Sequence, residues 1–299
     1  MPDPFVLTPL EVAERLRIAK NTVYELIKRG ELKAYRVGKK VRVDSREIEA
    51  YRNRGSSPQP LVQVPAADLN RQGFVISGQD ALLDILVHKL SEGSSGFPVL
   101  RSQLGSYNGL FALYRDEVDA ATAHLWDAAS DQYNLSFVRA MLPGIPAVLV
   151  HLARRPVGFY VAQGNPLNIT SWDDWARPSV RPAFREWGSG MRVLIDQKCR
   201  GLAQGQELVA PSHVAAAIAV ARGDADVSVG TGKAAEQVKG VEFVFTHYEH
   251  YDLVLKASRE NEPRMLRLLE VIRSAEFRKD TEALGDYDLE RLGQESGRT

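Results

Sequence analysis

The sequence predicts an α/β protein in two parts: a winged helix-turn-helix at the N-terminus, then a larger α/β body of two lobes. Three observations carry that expectation. A capped helical pair and a basic hairpin fill the first fifty-odd residues. From residue 74 onward, short apolar strands alternate with helices in two successive sets. Between the parts, Asn53 to Pro60 is small, polar and proline-interrupted, the composition of a linker.

Thr8 has the short hydroxyl side chain of an N-cap, Pro9 suits the first helical position, and Glu11 stands three residues after the cap. The first helix therefore runs to Leu16, and Arg17-Ile18-Ala19 makes the turn. Lys20 to Arg29 forms the second helix, closed by Gly30, with Val23, Leu26 and Ile27 on one face. Leu32 to Asp44 alternates as two strands around Gly38-Lys39, and Ser45 caps a short closing helix, Arg46 to Arg52. In this motif the second helix enters the major groove with its N-terminal residues at base edges. Those residues are Lys20, Asn21, Thr22 and Tyr24; Asn21 suits adenine, and Lys20 suits guanine or phosphate. Lys28, Arg29, Arg36, Lys39, Lys40 and Arg42 suit phosphates, which position without specifying. The expected partner is double-stranded operator DNA.

The 299 residues have no net formal charge, yet the balance is uneven. Residues 1–54 hold thirteen Lys and Arg against eight Asp and Glu, leaving 25 bases and 30 acids for the rest. A basic head on an acidic body fits a nucleic-acid module joined to something that avoids nucleic acid. Cys199 is the one cysteine, which excludes an intramolecular disulfide and a cysteine-based metal knuckle, and it reads as a buried helical thiol. The N-terminus has no signal-peptide core and no apolar run is long enough to span a membrane, so a cytoplasmic protein without a membrane partner is expected.

In the body, Phe74–Ser77, Phe97–Leu100 and Ala120–Ala123 read as strands, with helices at Asp80–Leu90 and Tyr107–Arg115 between them. A second set starts at Phe159–Ala162 and continues with the Asp173-Asp174-Trp175 helix start and a strand at Ala183-Phe184. Helices at Gly190–Arg200 and His213–Arg222 follow, then strands at Asp226–Val229, Val241–Phe245 and Tyr251–Leu255, and a long helix from Pro263 to about Ala283. The alternation predicts a largely parallel sheet. The expected divisions are a head at 1–54, a linker at 55–68, a body at 69–292 and a frayed tail at 293–299. Two such lobes with chain crossing between them suggest a cleft binder of the periplasmic-binding-protein type, closing by hinge motion.

Three polar turns open helices at strand ends, where open α/β sheets bind ligands. They are Ser77-Gly78-Gln79-Asp80, Gly105-Ser106-Tyr107-Asn108-Gly109 and Gly188-Ser189-Gly190-Met191-Arg192. Each offers backbone N–H groups and a hydroxyl at a positive helix end, which suits an anion; serine and glycine at such places also simply cap helices. His124, beside Trp126 and Asp127, and His213 are further cleft candidates. Strand alternation sets His250 and Tyr248 on one side and His247 and Glu249 on the other, which argues against a metal cluster there.

The head resembles the excisionase-type winged helix-turn-helix family over Leu7–Ala13, Val23–Gly30, Leu32–Gly38 and Val41–Asp44. Residues 69 to about 292 resemble the binding-protein-like sensor domain related to molybdate-binding proteins. The likeness rests on Asp80–Leu86, Gly105–Leu113, Asp119–Asp127, Tyr133-Asn134, Gly164-Asn165-Pro166, Gly188-Ser189-Gly190 with Arg192, His213–Ala217, Gly223–Asp226 and Glu249–Val254. The resemblance implies a one-component transcriptional regulator that senses a small ligand in its cleft. The candidate ligand residues are Ser77, Gln79, Asp80, Ser106, Tyr107, His124, Tyr133, Ser189, Gly190, Met191 and Arg192. This chain departs from the family at Gly78, where serine is common, at Met191, where threonine is, and at Phe184-Arg185-Glu186, where Asn-Arg-Gln is. Two ligand classes therefore remain: a molybdate- or tungstate-like oxyanion, and a small organic metabolite.

No nucleophile elbow, Walker loop, dinucleotide fingerprint or metal dyad is present, so neither an enzyme nor a cofactor is expected. A homodimer is expected, because helix-turn-helix heads read paired half-sites. A tethered enzyme and an architectural DNA binder are the alternative readings.

Overall fold

A computed structural model of the chain describes residues 6–16, 20–28, 32–37, 40–45, 47, 73–92, 96–199 and 208–299. The chain divides into two compact units, residues 1–64 and 65–299.

The first unit contains β1 (Val6–Leu7), α1 (Pro9–Leu16), α2 (Lys20–Lys28), β2 (Tyr35–Val37) and β3 (Lys40–Asp44). The reciprocal cap predicted at α1 forms: the Thr8 N–H donates to Glu11 Oε2 at 2.6 Å, and the Glu11 N–H donates to Thr8 Oγ1 at 3.3 Å. Val12, Ala13, Val23 and Leu26 bury the facing sides of the two helices over Leu32 and Val43. The strands lie antiparallel in the order β1-β3-β2, and β2 and β3 pair as the expected wing. The closing helix expected at Arg46–Arg52 falls outside the described residues except for Glu47, and the linker falls wholly outside them.

In the second unit, lobe 1 begins with β4 (Phe74–Ser77), α3 (Leu82–Ser91), β5 (Val99–Ser102), α4 (Ser106–Tyr114) and β6 (Ala120–Ala123). A small hairpin, β7 (Trp126–Asp127) and β8 (Gln132–Tyr133), leads to α5 (Leu135–Met141) and the long strand β9 (Ala147–Ala162). Lobe 2 follows with α6 (Trp172–Trp175), β10 (Ala183–Arg185), α7 (Gly190–Lys198), β11 (Leu208–Ala210), α8 (His213–Ala221), β12 (Val227–Thr231) and α9 (Gly232–Glu236). The second long strand, β13 (Val241–Lys256), returns to lobe 1, where α10 (Pro263–Arg273), α11 (Ala275–Leu284) and β14 (Glu295–Arg298) end the chain.

The main sheet has the order β12-β9-β13-β6-β4-β5, with β14 paired to β9. Only β5, β4 and β6 run parallel; β9, β12, β13 and β14 pair antiparallel, so the sheet is mixed rather than largely parallel. β9 and β13 each run sixteen residues through both lobes. Leu152 and Leu253 sit in the lobe 1 core, and Val157 and Phe159 in the lobe 2 core. The sequence pattern breaks these strands into apolar pieces because their middles carry His151, Arg154, Arg155, His247, Glu249 and His250. The hydrogen-bond ladder continues regardless of side-chain polarity.

Two further expectations change. The single long C-terminal helix is two, since Ser274 caps the second by accepting from the Phe277 N–H at 3.1 Å. The tail expected to fray instead joins the sheet, with the Gly293 N–H donating to His151 O at 2.8 Å and the Thr299 N–H to Ala147 O at 3.0 Å. Its polar composition hides this, because edge pairing uses backbone groups. Cys199 is buried just past α7, and burial, with Asp173 nearby, pushes its thiol up to about 11. No helix among the described residues is long and apolar enough to cross a membrane.

Candidate ligand cleft

The lobes meet at the turns that open α4 and α7. The Tyr107 N–H donates to Gly188 O at 2.9 Å, and Asn108 Nδ2 donates to Trp187 O at 3.3 Å. The approach is possible only because both turns carry glycine. A Cβ on Gly105 would lie 2.8 Å from Gly188 O, and one on Gly190 would lie 2.5 Å from the His124 ring. Behind this seam is a recess lined by Gln79, Ser106, Thr122, His124, Arg155, Arg185, Ser189, His213 and Tyr251, with Leu104 and Gly105. It admits only about 10 Å³ of solvent, roughly one water. A larger guest requires the lobes to part.

Every polar group lining the recess can donate a hydrogen bond. Ser106 Oγ accepts from the His124 N–H at 3.2 Å and Ser189 Oγ from the Arg192 N–H at 3.2 Å, leaving both hydroxyl protons for other acceptors. Tyr251 donates to Thr122 Oγ1 at 2.9 Å, and Thr122 donates to Ser77 O at 3.1 Å. These two hydroxyls occupy the place a side chain at 78 would take, since a Cβ there would lie 2.3 Å from Thr122 Oγ1. That accounts for glycine where the resembled family carries serine.

The cations are oriented from behind by carboxylates that do not line the recess. Arg155 pairs with Asp80 and Glu249, and its guanidinium lies 3.9 Å from the Tyr251 ring centroid. Asp80 also accepts from Tyr287 Oη at 2.8 Å, and Glu249 bonds His124 Nδ1 at 2.7 Å. Burial would raise the Glu249 carboxyl, but Arg155 and His124 overcome that and hold it at about 2. Burial also opposes the Arg155 charge, and Glu249 and Asp80 outweigh it. Arg185, 1% exposed, is gripped by Glu186 at 2.9 Å and donates to Gln79 Oε1 across the lobes at 2.9 Å. His213 opens α8; burial, with Arg185 and Arg155 close by, keeps it neutral by lowering its pKa well below 6.5. Arg155 Nε, Arg185 Nη1 and His213 Nδ1 are buried and have no hydrogen-bond partner among the described residues.

Of the ligand residues expected from the sequence, Gln79, Ser106, His124 and Ser189 line the recess, and the Gly190 backbone touches His124. Asp80 stands behind Arg155. Ser77 lies beneath α4, where a Cβ on Gly109 would be 2.8 Å away. Tyr107 is exposed, and Met191 is buried in the lobe 2 core. Arg192 stacks between Phe184 and Trp187, at 4.8 and 3.7 Å, and its Nε bonds Asp196. Tyr133 lies outside the recess and donates to His247. The expected opposition of His247 and His250 also fails, because both converge on Tyr133. Register shifts on either side of this stretch add local twist.

The sequence reading does not single out Arg155, Arg185, Thr122 or Tyr251. Arg185 has a visible signal as the middle residue of the triplet compared with Asn-Arg-Gln, whereas Arg155 is hidden inside a strand that sequence alone does not delimit. No three His, Cys, Asp or Glu side chains among the described residues are grouped to hold a metal.

In the head, Lys20, Asn21, Thr22 and Tyr24 lie in the first half of α2 and Lys28 at its end, with Lys20 and Thr22 exposed. Arg36 is on β2, and Lys40 and Arg42 are on β3. Arg29 and Lys39 fall outside the described residues.

Comparison with known proteins agrees with this architecture. Residues 87–273 match the PBP superfamily domain, and residues 6–56 match a helix-turn-helix domain. The uncharacterized protein YvgK of Bacillus subtilis (strain 168) is 36% identical over 297 residues, covering 95% of each chain. Two solved structures share the fold. A putative phosphate ABC transporter substrate-binding protein with bound phosphate, from Clostridium perfringens, has a TM-score of 0.55 at 13% identity, covering 74% of this chain and 98% of its own. The sulfate-binding protein SubI of Mycobacterium tuberculosis H37Rv has a TM-score of 0.51 at 16% identity, covering 72% and 85%. The chain belongs to the PBP superfamily-domain family and carries a helix-turn-helix domain at its N-terminus.

Proposed function

We propose that this protein is a ligand-responsive, one-component transcription regulator that acts in the cytoplasm, where its DNA is. The head, of the excisionase type, reads operator DNA through Lys20, Asn21, Thr22 and Tyr24, while the remaining basic residues hold phosphates. The body binds a small anion between its lobes without turning it over, and a homodimer presents two heads to paired half-sites.

One observation carries the sensing half: buried Arg185 Nη1 has no hydrogen-bond partner among the described residues, in a recess lined by groups that can donate. A buried donor is expensive to leave unpaired, so its natural complement is an oxyanion or carboxylate. The phosphate and sulfate binders that share the fold favour a tetrahedral oxyanion, with molybdate and tungstate as the specific candidates from the sequence. A small carboxylate metabolite is the second reading, favoured by the carboxylates that already offset both arginines.

The ligand can act on DNA binding only through a difference in its affinity for the two lobe arrangements. The test is calorimetric titration of the full chain with molybdate, tungstate, phosphate and sulfate. Saturable binding of at least one, lost on Arg185→Ala, is expected. Four blank titrations would sink the oxyanion. Operator affinity, measured on duplexes selected from a random library, should then change with the same anion.

A further inference from the structure

A second cavity, of about 630 Å³, shares no lining residue with the recess. It lies within the usual size range of small-molecule sites. Its walls come from the β7–β8 hairpin, from lobe 2, from β13 and from the C-terminal segment at Arg291 and Ser296. The hairpin is fixed to lobe 2 by Gln197, whose Nε2 donates to Trp126 O at 2.7 Å and whose Oε1 accepts from the Ala128 N–H at 2.8 Å.

The cavity's lining is more polar than apolar, but several of its ring faces are held still. Tyr133 stacks on His250 with ring centroids 5.4 Å apart and 13° between planes. Thr246 gives its own proton to Val157 O at 2.9 Å, so its oxygen accepts from His247 Nδ1 at 3.0 Å. His247 Nε2 must then accept from Tyr133 Oη at 3.0 Å. That wall is uncharged and locked. Trp172 is propped edge-on against Phe159 at 5.0 Å.

Two carboxylates and two cations line it. Asp252 is already engaged by His151 at 2.8 Å and Asn134 at 2.7 Å, and Asp131 accepts from Trp126 Nε1 at 2.9 Å. Lys198 lies 3.9 Å from the Trp126 ring centroid. Among the described residues, neither Lys198 nor Arg291 has a carboxylate in ion-pair range. Ring faces, carboxylates already hydrogen-bonded, and two cations without a carboxylate partner among the described residues suit one chemistry.

We propose that this cavity is a second ligand site, for a planar aromatic acid. Its ring packs against Trp172, and its carboxylate is drawn by Arg291 and by Lys198, which lies over Trp126. The site shares no lining residue with the anion recess.

The probe is 2-naphthoate, titrated into the full chain by calorimetry with tryptophan fluorescence in parallel. Saturable binding is expected, weaker by about tenfold or more in Lys198→Ala, through loss of the charge-assisted contact. Trp172→Phe should also weaken it, and uncharged 2-naphthalenemethanol should bind more weakly than the acid. Arg185→Ala should leave naphthoate binding unchanged. The proposal is overturned by no saturable binding at millimolar naphthoate. Binding that survives Lys198→Ala and disappears in Arg185→Ala overturns it too, because the acid would then occupy the recess. Since Lys198 is exposed, its alanine variant tests the site without disturbing the core.

Discussion

Arg155 and Glu249 are register partners across the two long strands that join the lobes, and their side chains form a buried ion pair at that crossing. Asp80 of lobe 1 holds the other side of the same guanidinium.

Glu249→Gln should therefore leave a buried arginine half-paired, at a cost of about 3–5 kcal/mol. The folded-state pKa of Glu249 is depressed to about 2 from an ordinary 4.5. Its contribution is thus complete above the ordinary value and is lost as pH falls through the folded one. Urea unfolding followed from neutral pH into acid should show the variant losing less stability on acidification than the natural protein. An equal loss in both would remove Glu249 from the acid response.

Gly190→Ala and Gly105→Ala should hold the lobes apart, since each new methyl meets the opposite side of the seam within 2.8 Å. Both variants should keep their helical and sheet content. Small-angle X-ray scattering with saturating anion should give them a larger radius of gyration than the natural protein.

Removing residues 293–299 should destabilise the body. The deletion strips the β14–β9 pairing and the hydrogen bonds at His151 and Ala147 beside it, each bond worth about 0.5–1.5 kcal/mol. A thermal melt unchanged by the truncation would mean the tail contributes nothing to the sheet.

The head should separate by mutation from the body. Asn21→Ala should relax sequence preference at one base pair, by about 1–3 kcal/mol, and Lys40→Ala should lower the salt slope of DNA binding by about 1 without changing preference. Neither should alter the anion isotherm. If either does, reader and sensor are not distinct units.

Much of the head and most of the lobes' elements are legible in the sequence, because caps, helical periodicity and short apolar strands are local signals. Thr8 with Glu11 announces its helix within four residues. The turns at Ser106 and Ser189 are equally visible, and the structure sets both against the recess.

What tertiary structure decides is non-local. Arg155 acquires its role from Asp80 and Glu249, 75 and 94 residues away in the chain. Met191 and Arg192 look like site residues by position, yet they turn into the lobe 2 core and onto the rings of Phe184 and Trp187. Local sequence by itself determined the helix starts, the turns and the two-part division, since those depend on neighbours a few residues apart. Only the folded chain decided which donors face the recess and which cations stay paired behind it. Burial and charge pairing are set by groups that meet only after the long strands have crossed.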